Sequence, residues 1–319
     1  MKYDVVTLGE LLIDFTSNGV SENGNILFEA NPGGAVSNVL AMLQKQGKKT
    51  AFLGKVGEDQ FGKLLKDTLD KVGIDSQGLL LDKKYNTTLA FVHTFPDGDR
   101  DFSFYRKNGA DLMIDKSEIC YDIIKDSRAF HFGTLSMTSE PAYSATIESL
   151  DYAKSENKLI TFDPNLREPL WDTLDNAKEK IKEGMQYCDV LKISDNEIQF
   201  VSGLEDYDDG IAFIREKYNI PLIFLTMGKD GSCAYYKDIK VSKQGYSVKT
   251  IETTGAGDTF TACAISGVLD YGIENLNEDN LNEILEFANA AAAIVTTRKG
   301  AIMSMPNVEE VRELITNGR

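Results

Sequence analysis

The chain has 319 residues, enough to bury a large core in one α/β domain or two smaller ones. Its 34 basic and 50 acidic side chains leave a net charge of −16, which repels nucleic acid and anionic lipid, so any anionic ligand must be held by a local site. No run approaches the roughly eighteen apolar residues of a membrane span, and MKYDVVTLGE lacks the long apolar core of a signal peptide, so the expectation is a cytoplasmic protein with no membrane and no nucleic-acid partner.

In chain order, DVVTLGE predicts a first strand, GGAVSNVLAMLQKQG a helix closed by Gly47, and TAFLGKVG a second strand. The segment from Gly57 onward predicts an amphipathic helix with Leu64, Leu65, Leu69 and Val72 on its core face. Farther on, AFHFGTL, LITFDPN, VLKIS and LIFLTMG alternate with segments of helical period, the pattern of βαβ units in a mainly parallel sheet with helices on both faces. Two stretches break this pattern. FTSNGVSENGNILFEA and NTTLAFVHTFPDGDRDFSFYR alternate every second residue and carry the turn signals Asn23-Gly24 and Asp97-Gly98. They predict antiparallel strands forming a small β lid from about 12–32 and 86–110, within one unit spanning 1–319. Phe and Tyr on both faces of those strands predict an apolar surface that meets a second copy, hence a homodimer through the lid.

Cys120, Cys188, Cys233 and Cys263 form no C-x-x-C pair and sit among apolar neighbours, so they read as reduced packing residues. His93 and His131 lie in strand-like settings and read as structural, which leaves little material for histidine-based metal sites or triads.

GEDQFGKL, from Gly57 to Leu64, nearly matches a P-loop. It fails at Leu64, which cannot ligate magnesium, and at Glu58 and Asp59, whose charges oppose a phosphate. The dinucleotide fingerprint is absent from TLGELLIDF, which argues against NAD. TTGAGDTFTACAISGVL carries a different signal: a helix beginning near Asp258, with Phe260, Ala264, Ile265 and Val268 available to pack. Gly255, Ala256 and Gly257 then place amides at the positive end of the helix dipole, an anion site. Asp258 either caps this helix or takes a proton from a hydroxyl while the amides hold phosphoryl charge, and the residues alone leave both readings open. TMGKDGS, Thr226 to Ser232, offers a second glycine-punctuated turn for nucleotide phosphates.

Taken together, GELLIDF, NPGGAVSNVLAML, GKVGEDQFG, FSFYRKNGADLMI, FDPNLREPLW and TTGAGDTF resemble, in order and over nearly the whole chain, the PfkB carbohydrate kinases, and within them the fructokinases. The resemblance implies a ribokinase-like α/β fold and ATP-dependent phosphorylation of a sugar, with fructose 6-phosphate as the expected product. It implies that Asp14, Gly33, Gly34 and Asn38 meet the sugar and that Arg106 and Arg167 line its pocket or approach the phosphate. Lys192, Thr226, Gly228, Gly231 and Asn289 fall where the family binds ATP. Glu197 stands where the family's glutamate reaches magnesium through water, with Ser194 replacing the usual asparagine. Glu252, Thr254, Gly300 and Ser304 correspond to a monovalent-cation site, and potassium activation is in question because relatives carry aspartate where this chain has Glu252. A 2-keto-3-deoxygluconate kinase, or another sugar or nucleoside kinase of the family, is the alternative; a silent sugar-binding protein on the same fold is a remote one.

Overall fold

The structure, a computed structural model, describes residues 1–94 and 100–318. The His93 side chain and the Asp97-Gly98 turn lie outside the described residues. In chain order the elements are β1 (Tyr3–Leu8), β2 (Leu12–Val20), β3 (Ile26–Gly33), α1 (Ala35–Lys45), β4 (Thr50–Gly57), α2 (Gln60–Val72), β5 (Asp75–Asp82), β6 (Leu89–Thr94), β7 (Arg100–Tyr105), α3 (Tyr121–Lys125), β8 (Ser127–Phe132) and α4 (Ala142–Ser155). They continue with β9 (Leu159–Phe162), α5 (Leu174–Met185), β10 (Val190–Ser194), α6 (Asp195–Ser202), α7 (Tyr207–Tyr218), β11 (Leu222–Thr226), β12 (Ser232–Tyr236), β13 (Ile239–Lys243), α8 (Ala256–Tyr271), α9 (Glu278–Val295) and α10 (Val308–Asn317).

Nine strands form the main sheet in the order β13-β12-β11-β10-β9-β8-β1-β4-β5. The pairings from β11 to β5 are parallel; β12 and β13 add an antiparallel hairpin at one edge that the sequence pattern did not announce. Strand residues alternate between two cores, as a sheet covered on both faces requires. Val5 and Phe224 pack on the side of α1, α8 and α9, while Val6, Leu8, Ile223 and Leu225 pack on the side of α4 to α7.

The two excursions form a second sheet in the order β3-β2-β6-β7. Its hairpins are antiparallel, but β2 and β6 run parallel, Ile13 beside Leu89 and Thr16 beside Val92, which corrects the expectation of an all-antiparallel sheet. The cause lies in the main sheet: β2 follows β1, and β6 follows β5, so both leave the same end of parallel strands and run outward together. Phe15 stacks on Phe91 at 4.9 Å and meets Phe61 of α2 edge-on at 5.6 Å, joining this sheet to the main body.

Other details depart from expectation. Leu65 and Leu69 are buried and Val72 is half-buried, but Leu64 is 41% exposed because it lies one residue off that i, i+4, i+7 stripe. Asp59, part of the near P-loop, is the N-cap of α2; its carboxylate accepts the Gly62 N–H and ties in Thr87. Cys120 is exposed, whereas Cys188, Cys233 and Cys263 are buried. His131 is buried against the Thr161 hydroxyl, and burial pushes its pKa down to about 3, so it is neutral. Among the described residues no helix is long and apolar enough to cross a membrane.

Candidate active site

Parallel strands direct their C-terminal ends to one edge of a sheet, where open α/β folds place their crevices. The turn after β1 brings Glu10, the loop after β9 brings Asp163, Asn165 and Arg167, and β10 ends at Ser194. Into the same edge run the first turns of α1 and α8. A cavity of about 500 Å³ opens there, walled by Glu10, Asp14, Gly34, Asn38, Phe104, Asn165, Arg167, Lys192, Glu197, Thr254 and Asp258 among others. A second cavity of about 510 Å³ is walled by Thr226, Gly228, Gly231, Tyr246, Phe260, Asn289 and Thr296 among others. The two share Thr253 and Gly257, so they meet at the start of α8.

That start removes one of the two readings of Asp258. The N-cap is Gly255, with φ 79°, and Asp258 is the third helical residue, so its carboxylate is not the cap. Gly255 satisfies the left-handed backbone that a side chain would resist. The Ala256 N–H is taken by the Thr253 carbonyl at 3.2 Å, while those of Gly255, Gly257 and Asp258 have no partner among the described residues. The amides left for an anion are therefore Gly255, Gly257 and Asp258 rather than the full Gly255–Gly257 run.

Asp258 is buried, and Asn38 Nδ2 donates to its Oδ2 at 2.7 Å while Asn165 Nδ2 approaches Oδ1 at 3.4 Å. Burial raises its pKa to about 6, against the pull of the Asn38 hydrogen bond and the Arg167 and Lys192 charges, with Asp163 adding to the rise. Asn38 Oδ1 is buried without a partner beside the same carboxylate, an acceptor that a hydroxyl would satisfy. Asp14 is pushed up to about 7 by burial, Arg167 opposing, and Glu10 to about 7 by burial, Arg106 opposing. Glu10 accepts the Ala35 N–H at the start of α1. Gly33 leaves room for Asp14, since a Cβ there would stand 2.5 Å from Asp14 Oδ2.

The remaining predicted residues divide. Arg167 lines the first cavity, but Arg106 is buried behind it, bound to Asp111, Thr138 and the Leu135 carbonyl, and is not among the wall residues. Lys192 pairs with Asp163 at 3.1 Å. Thr226, Gly228, Gly231 and Asn289 line the second cavity, with the Asn289 amide accepting from the Ser232 hydroxyl and donating to the Lys243 carbonyl. Glu197 accepts from Ser194 N–H, Ser194 Oγ and Leu166 N–H, a capping box at the start of α6, yet still faces the first cavity. Glu252 accepts from Thr254 Oγ1 and the Gly300 N–H, and Ser304 lies beside Gly300. Glu10, Asp163, Asn165 and Thr253 were not singled out. Glu10 and Asn165 sit inside the quoted GELLIDF and DPNLR, but their partners lie 25 and 93 residues away in sequence.

A buried carboxylate at a helix start, flanked by amides without a partner among the described residues and standing between a polar cavity and a more apolar one, defines the class: a phosphotransferase with an alcohol acceptor. Residues 2–308 match the profile of the pfkB family carbohydrate kinases. The chain is 38% identical to fructokinase-2 of Solanum lycopersicum over 316 residues, covering 98% of this chain and 96% of that one. It is 39% identical to fructokinase-2 of Oryza sativa subsp. japonica, covering 98% and 94%. Among solved structures, a fructokinase from Xylella fastidiosa with bound ATP superposes with a TM-score of 0.90 at 26% identity, covering 99% of both chains. A fructokinase double mutant from Vibrio cholerae in a fructose, ADP and potassium ion bound form gives 0.88 at 27%, covering 98% and 99%. The chain belongs to the pfkB family of carbohydrate kinases and has the ribokinase-like fold.

Proposed function

We propose that the protein transfers the γ-phosphoryl group of ATP to D-fructose, giving fructose 6-phosphate. The observation that carries this reading is the junction of the two cavities at Thr253 and Gly257, with Asp258 at the seam beside amides that have no partner among the described residues. The sugar occupies the first cavity, where Asp14, Asn38 and the Asn38 Oδ1 acceptor meet its hydroxyls. ATP occupies the second, with its phosphates directed at the α8 turn. Asp258 takes the hydroxyl proton as the amides of Gly255, Gly257 and Asp258 stabilise charge on the transferring group, and Arg167 and Lys192 add cations at the same point.

The first cavity selects for a neutral acceptor. Glu10, Asp14, Glu197 and Asp258 face Arg167 and Lys192, and Lys192 is already paired with Asp163. The carboxylate of 2-keto-3-deoxygluconate would enter a field of net negative charge.

Magnesium fits as an ion carried by the phosphates. Among the described residues no group of three or more His, Cys, Asp or Glu forms a cage, and the Glu197 carboxylate, buried with no ion-pair partner among those residues, suits a hydrated divalent ion at one remove. It would supply neutralisation of phosphate charge. Glu252, buried without an ion pair among the described residues and bound by the Thr254 hydroxyl and the Gly300 N–H, suits a monovalent cation such as potassium.

The second sheet is a lid: Phe104 of β7 already reaches the sugar cavity. Closure would exclude water. Val20, Ile26, Leu27, Phe28 and Tyr105 are exposed apolar side chains distributed over this sheet, and a second copy of the chain is the partner that fits them. ADP release measured over fructose, ribose, ketodeoxygluconate and nucleosides tests the acceptor. Fructose as the preferred acceptor is expected; turnover of the acid sugar with none of fructose would overturn the assignment.

A further inference from the structure

Lys192 Nζ lies 3.1 Å from Asp163 Oδ2 and 3.3 Å from Oδ1, and both side chains are more than nine-tenths buried. The same ammonium stands 3.2 Å from where a Cβ on Gly257 would be, against the turn whose Gly255, Gly257 and Asp258 amides have no partner among the described residues. Asp163 also accepts the Thr261 hydroxyl at 3.0 Å and the Asn165 N–H at 3.2 Å. Thr261 follows Asp258 by three residues on α8, and the Asn165 side chain approaches Asp258 Oδ1. One carboxylate thus ties β10, α8 and the loop after β9 around the reacting centre.

We infer that Asp163 is a positioning residue for phosphoryl transfer: it holds Lys192 as a charged ammonium against the anion-binding turn and fixes the two segments that grip Asp258. This rests on the reading of Asp258 as base and of the α8 turn as phosphate site. An ammonium this enclosed sheds its proton unless a counter-charge holds it. Burial lowers the Lys192 pKa, but Asp163, with Glu197 and Asp258, more than offsets that and keeps it above the usual lysine value. A second anion arriving at the turn meets a cation whose desolvation and orientation are already complete, so little reorganisation accompanies the reaction. Asp258 itself faces the carboxyl groups of Asp163 and Asp14, the cations of Arg167 and Lys192, and the neutral amides of Asn38 and Asn165. Removing the Asp163 charge therefore moves two titrations downward, that of Asp258 and that of Lys192.

The test is kcat and KM for fructose across about pH 5 to 9 for Asp163→Asn, Asp163→Glu, Lys192→Met and the double variant that joins Asp163→Asn to Lys192→Met, with circular dichroism confirming the fold. For Asp163→Asn, kcat is expected to fall roughly ten- to a hundredfold with KM little changed, the acid limb to move down, and an alkaline limb to enter from above. Asp163→Glu restores the limb positions. The double variant is no slower than Lys192→Met alone, because the two residues act as one unit. Lys192→Met, which leaves the Asp163 charge unopposed, moves the acid limb up, and this arm stands even if Asp163→Asn does not fold. Limbs that stay in place in both single variants, or additive losses in the double variant, overturn the inference. Lys192→Met with wild-type turnover would instead remove phosphate from Lys192 and take the underlying reading down with it.

Discussion

Replacing Asp258 with Asn separates the catalytic and structural consequences of one buried carboxylate. Its pKa is raised from 3.8 to about 6. At 1.36 kcal/mol per unit, ionised Asp258 costs the native state about 3 kcal/mol at neutral pH. Because the folded-state value lies above the unfolded one, this cost is absent below about pH 4, grows as pH rises through 6, and is then constant. Asparagine never ionises. The stability of Asp258→Asn relative to wild type should therefore increase by up to about 3 kcal/mol between pH 4 and 7, whatever fixed loss follows from a mismatched amide against Asn38 or Asn165. Urea unfolding of both proteins at several pH values measures this difference directly. In parallel, kcat should fall roughly a hundred- to ten-thousandfold, and the wild-type rate should drop tenfold per unit below about pH 6. A variant that keeps more than about a tenth of the wild-type rate, or a stability difference that is flat with pH, would refute the reasoning.

Gly34→Ala puts a Cβ 2.4 Å from the Glu10 carbonyl at φ 130°, so a loss of about 2 kcal/mol or more is expected in chemical denaturation, with kcat/KM reduced because Asn38 rides on the same helix. Potassium should raise the rate and the melting temperature of the wild type relative to choline, and Glu252→Gln should lose both responses; a wild type indifferent to potassium would remove the cation from this site. Phe28→Asp on the exposed lid face should convert a dimer to a monomer in light scattering with the fold intact, and a monomeric wild type at micromolar concentration would count against pairing through the lid.

The sheet was legible because β1, β8, β9, β10 and β11 are buried on both faces and so read as unbroken apolar runs. The lid strands were legible by their period of two, but not their parallel seam, since the direction of β2 and β6 is set by which end of the main sheet they leave. The Asp258 turn was visible through its glycines. The contacts of Glu10 and Asp163 were not, because each depends on a partner far away in the chain, and a lone acid beside a strand carries no mark of what it will face. Arg106 illustrates the converse: an arginine in a promising motif turned inward once Asp111, five residues on, met it at 2.7 Å.

The helix starts at this edge are not capped alike. Six helices begin with a side chain that accepts an N–H of their own first turn: Asp59, Thr173, Ser194, Asp206, Asn277 and Asn307. Three of the helix starts line the first cavity: α6, capped by Ser194, and α1 and α8, which begin instead with Gly34 and Gly255 and have no side-chain cap. At α1 the vacancy is filled from the turn after β1, by Glu10 on the Ala35 N–H, which locks the helix that carries Asn38. At α8 no group among the described residues fills it. On the proposed function, a serine or aspartate in place of Gly255 would compete with phosphate for the same amides and resist the left-handed backbone, so the glycine would keep an anion site open while Asp258, one turn in, takes the proton.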